Sequence, residues 1–132
     1  MGYEIRTLLN SAKTIAVVGL SDKQERPSYG VAEYLLAHGY KIIPVNPMIK
    51  EWKGLASYPN LSAIPKTERI DIVDIFRKSE DVGPIVDEAI LVGAKAVWMQ
   101  LGVINEEAAA KAKSAGLAVV MDKCIKIEHK SG

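Results

Sequence analysis

Apolar residues near the start of the chain fall at Ile5, Leu8, Leu9 and Ala12. That is the spacing of one helical face, so Tyr3 to Lys13 is predicted to be an amphipathic helix lying on a larger body. Thr14-Ile15-Ala16-Val17-Val18 then runs apolar without alternation and stops at Gly19. Such a run suits a strand buried on both faces. Helical spacing returns between Ser28 and His38, with Val31, Ala32, Leu35 and Leu36 on one side and Gly39 placed as a left-handed stop. Lys41 to Val45 is a second strand. From Asn46 to Pro65 the pattern is irregular: Pro47, Gly54, Pro59 and Pro65 break it, and Trp52, Leu55, Tyr58 and Leu61 supply packing groups. A long ordered connection is expected there.

Beyond it, Ile70 to Phe76 is the third predicted strand. Gly83-Pro84 to Val92 is a helix with proline at its start and Gly93 past its end. Ala96 to Met99 is the fourth strand, Asn105 a cap for the helix Glu106 to Ala115, Gly116 its stop, and Leu117 to Met121 the fifth strand. Lys123 to Gly132 is a short helix or coil. Strands alternating with helices imply parallel pairing through right-handed crossovers. The expected fold class is therefore α/β: a single Rossmann-like, doubly wound domain over residues 1–132, with a mainly parallel five-stranded sheet and helices on both faces. The 132 residues, 48% of them apolar, suit one core, whereas two separate domains would each be marginal.

Charge narrows the function classes. Lys and Arg total 17 against 16 Asp and Glu, a net +1, so the broad basic field that nucleic-acid binding needs is missing. A single cysteine, Cys124, allows no internal disulfide, and no secretory leader pattern follows Met1. No apolar stretch approaches bilayer length. A cytoplasmic protein without nucleic-acid or membrane partners is expected.

In an open parallel sheet a ligand lies beyond the carboxyl ends of the strands where strand order reverses, usually between strands one and four. The loops there begin with Gly19-Leu20-Ser21, Asn46-Pro47, Phe76-Arg77 and Gln100-Leu101-Gly102. The first loop, Gly19 to Tyr29, leads into a helix start whose free amides and positive dipole end favour an anion. Gly19 lets the backbone approach a phosphate, Ser21 and Ser28 offer hydroxyls, Arg26 offers a planar fork, and Tyr29 stands beside Ser28 at the helix start. These residues fit a phosphorylated nucleotide. The dinucleotide fingerprint G-x-G-x-x-G is absent, and the second strand ends in Asn46-Pro47 where an NAD site would carry Asp or Glu for the ribose diol. Lys23, Arg26 and Lys50 would instead suit a ribose bearing a phosphate, as in coenzyme A.

These residues resemble the CoA-binding domain that opens succinyl-CoA synthetase α subunits and related acyl-CoA synthetases, and above all its small stand-alone members. The likeness runs from Ile15 to about Glu128. It is carried by Val18-Gly19-Leu20-Ser21, Arg26-Pro27-Ser28-Tyr29-Gly30-Val31, Tyr40 to Pro47, Val73-Asp74-Ile75-Phe76-Arg77, Trp98-Met99-Gln100-Leu101-Gly102 and Met121-Asp122-Lys123-Cys124. The resemblance implies coenzyme A or acyl-CoA across the strand ends, its phosphates near Gly19, Ser21, Arg26 and Ser28. Its adenine would rest beside Asn46-Pro47 and Lys50, and its pantetheine arm would pass Phe76-Arg77 toward Gln100 and Gly102. The synthetases' phosphorylated histidine and nucleotide-binding domains lie outside this first domain, so binding without catalysis is expected.

The remaining chemistry-bearing side chains read as structural. His38 ends a helix and His129 sits in the tail. Cys124 could approach the thiol end of a bound CoA, but no base stands at a recognisable spacing, so it reads as a packed cysteine. Asp71, Asp74 and Asp122 are expected to satisfy backbone groups or Arg77. Two isolated histidines and a cysteine form no metal cluster. Trp52 and Trp98 are expected to pack, with Trp52 also able to cover an adenine. Two rival functions stand against CoA binding: an NAD(P)-dependent oxidoreductase, and an acyl-CoA enzyme working through Cys124 or a partner chain. A homodimer through the N-terminal helix and the sheet edge is an allowed assembly.

Overall fold

The computed structural model describes residues 2–132, with the side chains of Gly2 and Tyr3 left aside; Met1, the first residue of the expected domain, lies outside the described residues. The elements follow in order: α1 (Gly2–Ser11), β1 (Thr14–Val18), α2 (Pro27–Ala37), β2 (Lys41–Val45), β3 (Glu51–Trp52), β4 (Leu55–Ala56), β5 (Ile72–Ile75), α3 (Val82–Leu91), β6 (Ala96–Met99), α4 (Glu106–Ser114), β7 (Ala118–Val120) and α5 (Ile125–Lys130). Single 3-10 turns cover Leu61–Ala63 and Ser79–Asp81.

Five strands form one sheet in the order β2-β1-β5-β6-β7, every pair parallel. All five residues of β1 and all four of β5 and β6 are buried, which is why those segments read as unbroken apolar runs. Alternate residues feed two cores. On one face Ala16, Val73, Ile75 and Val97 meet Val82, Val86 and Ala89 of α3 and Ala108 and Ala112 of α4. On the other, Ile15, Val17, Ile72 and Trp98 meet Ile5 and Leu9 of α1, Val31 and Leu35 of α2, and Ile125 of α5. The α/β class with helices on both faces is thus present.

One expectation about the sheet needs correction. The order places β5, the third strand of the sheet, beside β1, so the reversal lies between β1 and β5 rather than between strands one and four. The long connection from Asn46 to Pro65 is ordered, as expected. It holds a two-residue hairpin, β3 with β4, turning through Lys53 and Gly54 at φ 50° and 79°. Two positive φ values are what a right-twisted two-residue hairpin requires, and Lys53 Nζ is paired to Glu33 at 2.9 Å. After the hairpin the chain returns to β2: Tyr58 pairs in parallel with Val45 and Asn46 N–H donates to the Tyr58 carbonyl at 2.9 Å.

Among the described residues no helix is long and apolar enough to cross a membrane, and no cluster of three acidic, histidine or cysteine side chains could hold a metal.

Candidate functional site

The loop after β1 turns at Gly19, with φ +86° and its N–H donating to the Val45 carbonyl at 2.8 Å. A Cβ on Gly19 would stand 2.4 Å from the Phe76 carbonyl oxygen and 3.0 Å from Arg77 Cδ. Only glycine fits, because β1 and β5 are neighbours and their exit loops touch.

From this contact three cavities fan out. The middle one, about 260 Å³, is lined by Gly19, Ser21, Lys23, Arg26, Pro27, Ser28 and Phe76. A second, about 570 Å³, shares Gly19 and spreads over Asn46, Pro47, Met48, Asn60 and Arg77, with Glu88 at its wall. A third, about 620 Å³, shares Pro27 and Phe76 with the first and Arg77 with the second, and runs past Val31, Gln100, Leu101, Val103, Cys124 and Ile127. The three are contiguous around Gly19, Phe76 and Arg77.

Hydrogen bonding inside the middle cavity defines its chemistry. Ser21 N–H donates to the buried Ser28 Oγ at 2.9 Å, and Lys23 N–H donates to Ser21 Oγ at 3.0 Å. Both hydroxyls therefore accept within the loop and keep their own protons for a further acceptor. Arg26 is the N-cap of α2 by backbone conformation, with no side-chain capping bond, and Pro27 supplies the first helical position. Neither Lys23 nor Arg26 forms an ion pair among the described residues, whereas Arg77 is tied to Asp81 at 3.2 Å. Two hydroxyl donors, two unpaired cations and the positive end of an 11-residue helix converge on one hollow.

Asn46 locks the floor of the second cavity. Its Nδ2 donates to the Leu20 carbonyl at 3.0 Å and its Oδ1 accepts from Met48 N–H at 2.9 Å. In the third cavity Gln100, 5% exposed, accepts Ile125 N–H at 3.1 Å and so fixes the start of α5.

Of the thirteen residues expected in the site, nine line these cavities: Gly19, Ser21, Arg26, Ser28, Asn46, Pro47, Phe76, Arg77 and Gln100. Four are not among the lining residues. Leu20 is fully buried in the α2 core and only its carbonyl is engaged, by Asn46. The Tyr29 ring turns outward onto Trp52, centroids 5.5 Å apart, beneath Lys53. Lys50 is exposed beside the hairpin, its carbonyl accepting from Ser57 N–H. Gly102, at φ +84°, is held by Asp122 Oδ1 at 2.7 Å. Val31, Val103 and Ile127 are wall residues absent from the sequence-based site, and Lys23 and Cys124, named in the sequence reading only as a cation for a ribose phosphate and a packed thiol, also line the cavities. A polar loop position signals Lys23; the others are apolar and look like core.

The carboxylates divide. Burial raises Asp71, but bonds from Lys13 N–H (2.8 Å) and Thr14 N–H (2.9 Å), with Lys95 nearby, outweigh it and hold the group below its ordinary value. Asp122 likewise satisfies a backbone amide. Asp74 does not behave as expected: it bonds neither backbone nor Arg77, both its oxygens lack a partner among the described residues, and burial holds its carboxyl well above the usual carboxylate range. Trp52 and Trp98, 2% and 0% exposed, pack as expected.

Comparison with known proteins matches residues 13–130 to the model of the CoA binding domain. The chain belongs to the CoA-binding domain family. A relative in Bacillus subtilis (strain 168), YneT, is 43% identical over 126 residues, spanning 96% of this chain and 92% of that protein. Among solved structures, a hypothetical protein from Pyrococcus horikoshii OT3 superposes with a TM-score of 0.95 at 42% identity, over 99% of this chain and 91% of that one. The apo acetyl-coenzyme A synthetase 1 of Ca. Korarchaeum cryptofilum matches with a TM-score of 0.72 at 27% identity, over 83% of this chain but 26% of the synthetase. The CoA-binding domain therefore stands here as nearly the whole of the chain and there as one part of a larger enzyme.

Proposed function

We propose that this chain binds coenzyme A non-covalently across the carboxyl ends of β1, β2, β5 and β6, without catalysis of its own. The observation that carries the reading is the contiguity of the three cavities around Gly19, Phe76 and Arg77, with the hydroxyl- and cation-lined hollow in the middle. A ligand with a charged centre and two dissimilar arms matches that layout. The pyrophosphate sits against Ser21, Ser28, Lys23 and Arg26. The adenosine lies over Asn46 and Pro47, and its 3′-phosphate turns outward to Lys50, away from the Glu88 wall. The pantetheine arm passes Phe76 and Arg77 to Gln100.

A dinucleotide is disfavoured by the same groups. Asn46 stands where a carboxylate would grip a ribose diol, and its amide is held in place by Leu20 and Met48. The test is thermal unfolding with coenzyme A, dephospho-CoA and NAD. A ligand bound only by the folded state stabilises by about 2.7 kcal/mol at a hundredfold excess over its dissociation constant. Coenzyme A should stabilise most, dephospho-CoA less and NAD little. Stabilisation by NAD alone would replace this reading with the dinucleotide one, and no response to any of the three would remove it. Arg26→Ala should weaken coenzyme A binding with the fold intact.

A further inference from the structure

The third cavity, about 620 Å³, continues past Gln100 along a largely apolar wall. Besides Gln100 and Arg77, which suit the arm's amides, and Lys78, its walls include the apolar Val31, Leu101, Val103 and Ile127. Leu101 and Ile127 stand at its mouth 66% and 57% exposed, large apolar side chains left facing water. Apolar surface held open beside a polar site marks a place that an apolar group covers. Its continuity with the anion hollow through Pro27 and Phe76 says what that group is attached to. One molecule with an anionic centre and an apolar tail spans both, which a docking peptide would not do.

We propose that the ligand is a medium-chain acyl-CoA, its acyl chain lying between α2 and α5 against Val31, Val103, Leu101 and Ile127. This rests on the coenzyme A reading and refines it by ligand class. The chain is recognised by burial alone, so affinity grows with its length: each methylene removed from water is worth about 0.8 kcal/mol, about fourfold in the dissociation constant. Free coenzyme A leaves the two rim side chains wet and binds more weakly.

Calorimetric titration of the purified protein with coenzyme A, acetyl-CoA, butyryl-CoA and octanoyl-CoA tests this. Affinity is expected to rise along the series, octanoyl-CoA exceeding coenzyme A by at least about tenfold. A smaller gain, or a loss, overturns the acyl subsite while leaving coenzyme A binding intact; failure of all four to bind overturns the underlying reading instead. The exposed positions allow a second arm without risk to the fold. Leu101→Ser with Ile127→Ser should flatten the dependence on chain length, and an undiminished dependence would overturn the placement of the chain.

Discussion

Gly19 and Phe76 come so close that a methyl group on the glycine would overlap the Phe76 carbonyl oxygen, at 2.4 Å. This contact joins the exit loops of β1 and β5 and sets the distance between the hollow on one side and the two larger cavities on the others. Gly19→Ala would add a left-handed alanine to that overlap, costing about 2 kcal/mol or more. Denaturant unfolding should show the loss of stability, and coenzyme A titration of the folded fraction should show weakened binding, since relief of the overlap must move the Phe76 carbonyl.

Ser28 holds the loop after β1 closed by accepting from Ser21 N–H. Ser28→Ala leaves that amide without its partner, a cost of about 1 kcal/mol, and also removes one hydroxyl donor from the hollow. Ser21→Ala removes a donor and the acceptor of the Lys23 N–H, an exposed bond that water can replace, but keeps the Ser21–Ser28 closure. Ligand titration should therefore find Ser28→Ala the more damaging of the two, and equal effects would show that the closure is irrelevant to binding.

Asp74 should give the protein an unusual alkaline liability. Burial raises its folded value far above that of the unfolded chain, so the folded state holds a proton that the unfolded state releases. Stability is then full below the unfolded carboxylate value, near pH 4, and falls as pH rises toward the folded value, by about 1.4 kcal/mol per pH unit while the carboxyl stays neutral. Asp74→Asn removes the titration. Unfolding followed from pH 4 to pH 8 should show the variant gaining on the natural protein as pH rises; parallel curves would show Asp74 to be ionised in the fold.

His129 acts in the opposite sense. Burial, His38 and Arg6 lower its folded value, so the unfolded chain takes up the proton first, and stability falls as pH drops below about 6.5. The ring stands 2.7 Å from the Tyr34 hydroxyl and edge-on to His38 and Tyr40, while Arg6 donates to the carbonyls of Glu128 and His129 and Lys126 lies over Tyr34. Added charge in this basic seam loosens α5 from α1 and α2. Amide hydrogen exchange over Ile125–Lys130 should speed up between pH 7.5 and pH 5.5, after correction for the intrinsic rate, and His129→Phe should remove the change.

The central strands β1, β5 and β6 were readable because each is short and buried on both faces, so period-two alternation disappears and an apolar run remains. The helix ends were readable because Gly39, Gly93 and Gly116 take positive φ there. The hairpin was not: strands of two residues show no periodicity, and Lys53-Gly54 lacks the Asn or Asp that advertises such a turn. In the candidate site, the small and polar loop residues marked the corner where the middle hollow lies. The apolar wall formed by Val31, Val103 and Ile127 did not, since nothing in a linear pattern separates a cavity wall from core.

The chain alone determined the α/β class, the succession of elements and the loops from which a ligand site would be built, because burial and backbone conformation act on neighbouring residues and leave a local trace. Only the tertiary structure decided that β5 lies against β1, that Tyr29 turns to Trp52 while Arg26 faces the hollow, and that Asp74 is sealed without a partner. Each of these depends on which segments meet across the sheet, and contact between residues far apart in sequence leaves no local periodicity to read.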